Sequence, residues 1–257
     1  MVTQKSTLEG PCLFSDKMVQ MSFQESEKFE ILWGDKSFTL GDGKLNAENS
    51  SSRWLLGESQ LILVEHLLSS SLFFKPFKVV IEHNEIPLFD GSSKIYFDLL
   101  NNMGLSKKVE EFDCSLNGSW HWSNGYFKVE PASHFSIDAK IKTDEFEMRN
   151  SWSSIESPKK ILYSRTFINE NFLAQRLSND VFKGAKEGMG IIIDVKGRPK
   201  NEDFRNSTEL VNHKILDLLG DVAWFNGKLP KLKIECENTN HAENHKLIER
   251  IMSNVIN

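Results

Sequence analysis

A chain of 257 residues suits one large domain or two small ones. Hydrophobic residues make up 39% and aromatic residues 11%, enough to bury an ordinary core. The net charge of −5 lacks the basic footprint of a nucleic-acid binder, so no nucleic-acid partner is expected, though a local basic pocket for a phosphate stays open. The opening, MVTQKSTLEG, is polar and has no apolar stretch of the signal-peptide kind. No run approaches the roughly 18 apolar residues of a membrane span. A cytoplasmic protein without a transmembrane segment is therefore expected. Cys12, Cys114 and Cys236 are far apart and never form a CxxC pair. They read as reduced thiols, and a cysteine zinc site is not expected.

In chain order, residues 17–23 (KMVQMSF) and 28–33 (KFEILW) read as strands. A polar stretch, Asn46–Arg53, separates them from Glu58–Ser70. That segment is long enough for a helix and apolar on more than one side. FKVVIEH at 77–83 alternates as a strand, HNEIPLFDGSS follows as a turn-rich connection, and Lys94–Leu100 reads as a second helix. Residues 101–112 carry no periodic pattern, which places a domain boundary there: 1–105 and 106–257. Beyond it, YFKVE and HFSIDAKI, near 126–141, suggest a hairpin, and GMGIIIDV at 188–195 a buried strand. The clearest helix spans 207–225, with Val211, Ile215, Leu218, Leu219 and Val222 on one face. Asn206 followed by Glu209 gives it a capping-box-like start. KLKIECE at 231–237 alternates as a strand, and a closing helix begins near Asn240. The halves share a flavour, but their sequences show no duplication.

Several residues are candidates for chemistry. Glu65 and His66 sit in the apolar run LILVEHLL, where an ionisable pair is costly without partners. Taken alone, the segment reads better as a satisfied core histidine beside a helix-edge glutamate than as a site. His213 and Asp217, four apart, share a helix face and suit two ligands of one zinc ion. The alternative is a solvated polar face, which occurs often. Asp221 continues that stripe, Lys214 lies at its edge, and Leu210 and Trp224 fall within it, which argues against plain solvent surface. His241 and His245 are either surface residues near a helix start or a metal pair; spacing does not separate the two.

Five segments, in order, resemble the UDP-3-O-acyl-N-acetylglucosamine deacetylase family. They are VEHLL (64–68), EIPLFDGSS (85–93), RTF (165–167), HKILDLLGD (213–221) and NHAENHKL (240–247). The resemblance implies an α+β fold: two similar α/β sandwich domains, each a sheet with a helix pair, with a zinc site at their interface. The second carries an insert near 167–194. By position, His66, His213 and Asp217 match the Zn2+ ligands, leaving a fourth position for water. Glu65 matches the general base and His241 the group that stabilises the oxyanion or protonates the leaving amine. Asp221 matches the carboxylate orienting His241, Thr166 an oxyanion-holding hydroxyl, and Lys214 a substrate-binding lysine. Asp90 and Gly91 match an architectural turn. The implied reaction is hydrolytic deacetylation of UDP-3-O-(3-hydroxyacyl)-N-acetylglucosamine, the committed step of lipid A biosynthesis. Its partner is the acylated UDP-sugar, and a monomer is expected.

The match departs from the family away from the implied ligands. The family's GLHTG reads CLFSD here, with Phe14 at the histidine position. The threonine that often precedes VEH is Leu63, the usual GGS is Gly184, Ala185, Lys186, and Asn238 and Asn240 replace a basic residue and a glycine. In the family, the insert forms an apolar passage for the acyl chain. Here its lining would include Phe172, Leu173, Leu177, Val181 and Phe182, interrupted by Asn169, Glu170, Arg176 and Lys186. An acyl-length preference different from that of typical members is the resulting expectation; the alternative has the polar side chains pointing outward around a normal passage. Two other readings remain: a paralogue deacylating another N-acyl sugar, and a non-catalytic relative acting as a binding partner. The full acid-base set argues against the second.

Overall fold

A computed structural model describes residues 5–256. Residues 1–4, part of the polar opening on which the absence of a leader was read, lie outside them. The chain opens with β1 (Lys5–Pro11), β2 (Met18–Glu25), whose alternating Val19, Met21 and Phe23 are buried, β3 (Glu30–Trp33) and β4 (Lys36–Thr39). Three short strands follow: β5 (Lys44–Glu48), β6 (Ser51–Leu56) and β7 (Ser59–Ile62). Then come α1 (Glu65–Ser71), β8 (Phe77–Ile81) and α2 (Lys94–Asn102). The first sheet runs β1-β2-β8-β3-β4, parallel only between β3 and β8.

The second half opens with β9 (Glu111–Phe112), β10 (Gly118–Trp122), β11 (Gly125–Pro131), β12 (Ser136–Lys142) and β13 (Glu147–Ser153). It continues through α3 (Lys159–Leu162), β14 (Phe167–Asn169), α4 (Glu170–Ser178) and β15 (Ile191–Ile193). It ends with α5 (Glu209–Asn226), β16 (Leu229–Pro230), β17 (Leu232–Glu237) and α6 (His241–Met252). Its sheet runs β10-β11-β17-β12-β13, parallel only between β12 and β17. The two sheets therefore share one plan. Two hairpins are laid down first, and a helix–strand–helix unit then inserts its strand between them. The units are α1–β8–α2 and α5–β17–α6. The duplication that the sequence does not show is present in the topology.

One buried cluster runs from Val19, Phe23 and Ile31 through Leu67 and Leu68 of α1 to Ile215 and Leu219 of α5, and on to Phe127, Ile137 and Ile234 of the second sheet. Each such side chain contributes about 1.5–3 kcal/mol by leaving water. α1 packs directly against α5, which also covers β12 and β13. The approach of the two helices is close: a β-carbon on Gly220 would overlap the carbonyl oxygen of Glu65.

Four local readings are corrected. The strands near 126–141 form no hairpin with each other: β11 and β12 both pair with β17, which lies between them. The apolar segment 58–70 is not one helix. Its first part is β7, paired with β6, and Leu63 adopts a left-handed φ of 67° before α1 begins. An apolar run fits a buried strand as well as a buried helix, and here the reversal at Leu63 divides the two. The polar stretch 46–53 is no separator but part of the β5–β6 hairpin, turned by Asn49 (φ 52°) and Ser50 (φ 64°). Two left-handed central residues match the twist of the flanking strands. At the start of α5, Asn206 Oδ1 does accept from Thr208 N (3.1 Å) and Asn212 Nδ2 (3.0 Å). Glu209, however, completes no box with Asn206. The buried Arg165 guanidinium draws it away, donating from Nε to Glu209 Oε1 at 2.9 Å, because a buried charge must be paired.

Candidate active site

α1 is buried on every side, so Glu65 and His66 at its start have no solvent to rely on. The left-handed turn at Leu63 costs about 1–3 kcal/mol and aims both side chains inward. Serines fix the backbone around them. Ser69 Oγ and Ser93 Oγ donate to His66 O at 2.9 and 2.7 Å. α5 is enclosed too: His213, Asp217 and Asp221 are 2%, 4% and 0% exposed, which removes the solvated-face reading.

His66, His213 and Asp217 present ligand atoms that lie within 4.8 Å of one another. Asp217 Oδ1 is 3.2 Å from His213 Nε2 and 3.9 Å from His66 Nε2. His213 Nδ1 faces the Ser164 carbonyl at 3.1 Å. A carbonyl only accepts, so Nδ1 carries a proton and Nε2 is the nitrogen turned toward the carboxylate. That nitrogen and the carboxylate oxygen are both atoms that can ligate a metal ion. Burial, then His213, pushes the His66 imidazole down to about 3, which favours the neutral form that a metal ligand takes. Burial alone would raise Asp217, but His213, Lys214 and His241 outweigh it and hold the carboxyl well below the usual range. Two imidazoles and one carboxylate form a donor set that fits zinc. His66 Nδ1 is buried without a hydrogen-bond partner among the described residues.

Glu65 stands beside this triad. Its Oε1 lies 3.7 Å from His241 Nε2, and Ser52 N donates to its Oε2 at 3.2 Å. Burial pushes its carboxyl up to about 8. His241 opens α6, whose N-terminus is capped by Asn240 Oδ1 accepting from Glu243 N at 3.1 Å. Burial would lower His241, but Asp221, Asp217 and Glu65 outweigh it and raise it to about 10. Asp221 Oδ2 accepts from His241 Nδ1 at 2.8 Å and from Asn244 Nδ2 at 2.9 Å. Lys214 Nζ donates to Asp217 Oδ2 at 3.2 Å and lies over the Phe167 ring.

Thr166 is held between two glycines in left-handed conformations. A β-carbon on Gly91 would fall 2.7 Å from Thr166 Cγ2, and one on Gly190 2.8 Å from Thr166 O. This closeness accounts for the DG turn and for Gly190 in GMG. Asp90 anchors the turn through Arg205 at 2.7 Å.

Of the insert, Phe167 meets the cluster, edge-on to His213 with centroids 6.4 Å apart. α4 has no buried residue; Phe172 is 63% exposed and Leu173 partly buried. Phe182 is buried, edge-on to Phe14 with centroids 5.6 Å apart.

Two residues that the sequence reading did not assign belong to the site. Ser52 Oγ contacts Asp221, His241 Nδ1 (3.1 Å) and His245 Nε2 (2.8 Å). His245 was paired with His241 only by spacing. The position of Ser52 just after the Asn49–Ser50 turn was the available signal, had the hairpin been recognised. A third cluster, Cys12, His83 and Glu85, is structural. Phe14 N, Ser15 N and Ser15 Oγ donate to the Glu85 carboxylate at 2.7, 3.0 and 2.8 Å, and burial pushes the Cys12 thiol up to about 12.

A sequence profile described as UDP-3-O-acyl N-acetylglycosamine deacetylase matches residues 1–253. Curated proteins named UDP-3-O-acyl-N-acetylglucosamine deacetylase are similar to the chain. One from Helicobacter hepaticus is 26% identical over 216 residues, covering 77% of the chain and 69% of that protein. Another, from Helicobacter pylori, is 26% identical over 256 residues, covering 94% and 85%.

Proposed function

The chain belongs to the UDP-3-O-acyl N-acetylglycosamine deacetylase family, and we propose that it hydrolyses the N-acetyl group of a UDP-3-O-acyl-N-acetylglucosamine, committing the sugar to lipid A. It is a deacetylase, and among its described residues no helix is long and apolar enough to cross a membrane. We place it in the cytosol, where the sugar nucleotide is. The observation that carries the mechanism is the close set of His66, His213 and Asp217, with His213 Nε2 3.2 Å from Asp217 Oδ1, beside Glu65 and His241.

His66, His213 and Asp217 would hold the zinc ion, which supplies Lewis-acid polarisation of the acetyl carbonyl and activates water. Glu65 takes a proton from the attacking water, and a carboxyl raised toward neutrality suits a general base. Water oxygen bonds to the acetyl carbon. Negative charge develops on the former carbonyl oxygen, where the Thr166 hydroxyl donates. His241 delivers a proton to the departing nitrogen as the C–N bond breaks, giving the amine and acetate. Asp221 keeps His241 Nδ1 protonated and leaves Nε2 as the working nitrogen. Lys214, half-buried at the rim, offers a cation to the substrate. The departures near Phe14 and the exposed apolar face of α4 favour an acyl preference of the chain's own, with Phe182, Leu173 and Phe172 contacting the acyl chain.

Purified protein should carry one equivalent of zinc by elemental analysis and release acetate from UDP-3-O-(3-hydroxyacyl)-N-acetylglucosamine. Chelation should stop the reaction and zinc should restore it. Zinc binding without acetate release would refute the substrate assignment and favour another N-acyl sugar.

A further inference from the structure

Ser52 lies where both proton-transfer groups can be held at once. Its backbone N–H donates to Glu65 Oε2 at 3.2 Å. Its hydroxyl touches Asp221 Oδ1, His241 Nδ1 and His245 Nε2. The residue is 1% exposed, and its carbonyl accepts from Leu63 N at 2.9 Å, which ties β6 to the turn before α1. Ser52 is thus fixed by the backbone on which Glu65 depends.

Counting protons assigns the direction of each bond. A hydroxyl has one proton and two lone pairs, and a carboxylate only accepts. Ser52 therefore donates to Asp221. Its lone pairs are left for His241 and His245, so both imidazoles must donate. His241 Nδ1–H lies closer to Asp221 Oδ2, at 2.8 Å, and only shares with Ser52 at 3.1 Å. His245 Nε2–H, at 2.8 Å, is the donor that orients the hydroxyl. His245 stands one turn after His241 on α6, with its ring centroid 6.4 Å away. The chain of bonds runs from His245 to Ser52, to Asp221, and back to His241 Nδ1. It leaves His241 Nε2 facing Glu65 at 3.7 Å and Asp217 at 3.9 Å.

We propose that Ser52 and His245 are positioning residues for this reaction: Ser52 holds Glu65 and Asp221 in one frame, and His245 orients the Ser52 hydroxyl. The proposal rests on the deacetylase reading. It accounts for two polar residues beside the acid-base pair that touch neither the ligand triad nor, through these bonds, the substrate.

The test uses Ser52→Ala, His245→Ala, the double variant and His245→Gln, whose side-chain amide can replace the imidazole N–H. Each alanine variant should keep its zinc and its KM and lose about tenfold in kcat, the scale of one hydrogen bond to a charged network. The double variant should be no slower than the slower single one, because both act through one bond. His245→Gln should recover most of the rate. Nitrogen NMR of the zinc-free protein should show His245 as the Nε2–H tautomer, and as a mixture in Ser52→Ala. Additive losses, unchanged kcat, or loss in KM alone would overturn the proposal. If Ser52→Ala does not fold, the contrast between His245→Ala and His245→Gln decides. If the wild type releases no acetate, the deacetylase reading fails, and the tautomer still tests the Ser52–His245 bond.

Discussion

Two groups of two histidines and one aspartate lie side by side in this molecule. They are His66, His213 and Asp217, and His241, His245 and Asp221. Both keep their ligand atoms within 4.8 Å, and both are largely enclosed. In the first, His213 turns Nδ1 to the Ser164 carbonyl and Nε2 to the Asp217 carboxylate, and His66 Nδ1 finds no partner among the described residues. In the second, Ser52, His241 and Asn244 all donate to Asp221, and its two oxygens are satisfied without an ion. Residue type and spacing are nearly the same in the two groups. Hydrogen-bond saturation separates the group proposed to hold the metal from the group that surrounds the proposed proton donor His241.

The largest expected effect breaks the first group. His213→Ala should lose zinc and all measurable deacetylation. Full zinc occupancy in that variant, measured by elemental analysis, would move the ligand set elsewhere. The next effect falls on its neighbours. Glu65→Ala and His241→Ala should keep zinc and lose about 10²–10⁴-fold in kcat, as acid-base groups do. Zinc loss on His241→Ala would erase the distinction drawn here. A smaller effect concerns the packing that holds the groups together. Gly220→Ala drives a β-carbon into the Glu65 carbonyl, and should cost about 1–3 kcal/mol or more of stability. The midpoint of denaturant unfolding measures this, and an unchanged midpoint would mean that α1 and α5 can separate freely. The smallest effect is on substrate fit. Phe182→Ala should shift the acyl-length profile of kcat/KM by a few carbons, at about 0.8 kcal/mol for each methylene. Identical profiles would remove Phe182 from the acyl contact and leave the zinc chemistry standing.

The sequence made the large features legible where periodicity was strong. The α5 stripe at 211, 215, 218, 219 and 222 is buried as expected, and His213, Asp217 and Asp221 follow from it by spacing. β17 and the start of α6 were equally plain. Elements without an apolar rhythm were harder. β5 and β6 are polar strands whose signal is a left-handed Asn49–Ser50 turn, so Ser52 passed as linker. α4 was read only as a lining segment, because none of its faces is buried enough to set a helical period. Glu65 and His66 lay in an apolar run that fits strand and helix alike, and only the partners supplied by α5 and α6, distant in sequence, make an ionisable pair there affordable. The repeated sheet plan left no trace in the residues, since two sheets can share a topology while their side chains diverge.

The isolation of α4 has a consequence for how such a catalyst changes over time. Its residues fill no core, and its side chains reach the rest of the protein through few bonds, such as Arg176 Nη1 donating to Asn49 Oδ1 at 2.9 Å. Exposed positions of this kind usually shift stability by less than about 0.5 kcal/mol when substituted. Residues 170–178 can therefore accumulate substitutions, or be exchanged as a block, while Gly220 and Glu65 keep the catalytic groups in register. With α4 in its proposed contact with the acyl chain, drift in substrate range and constancy of chemistry fall to separate stretches of one chain.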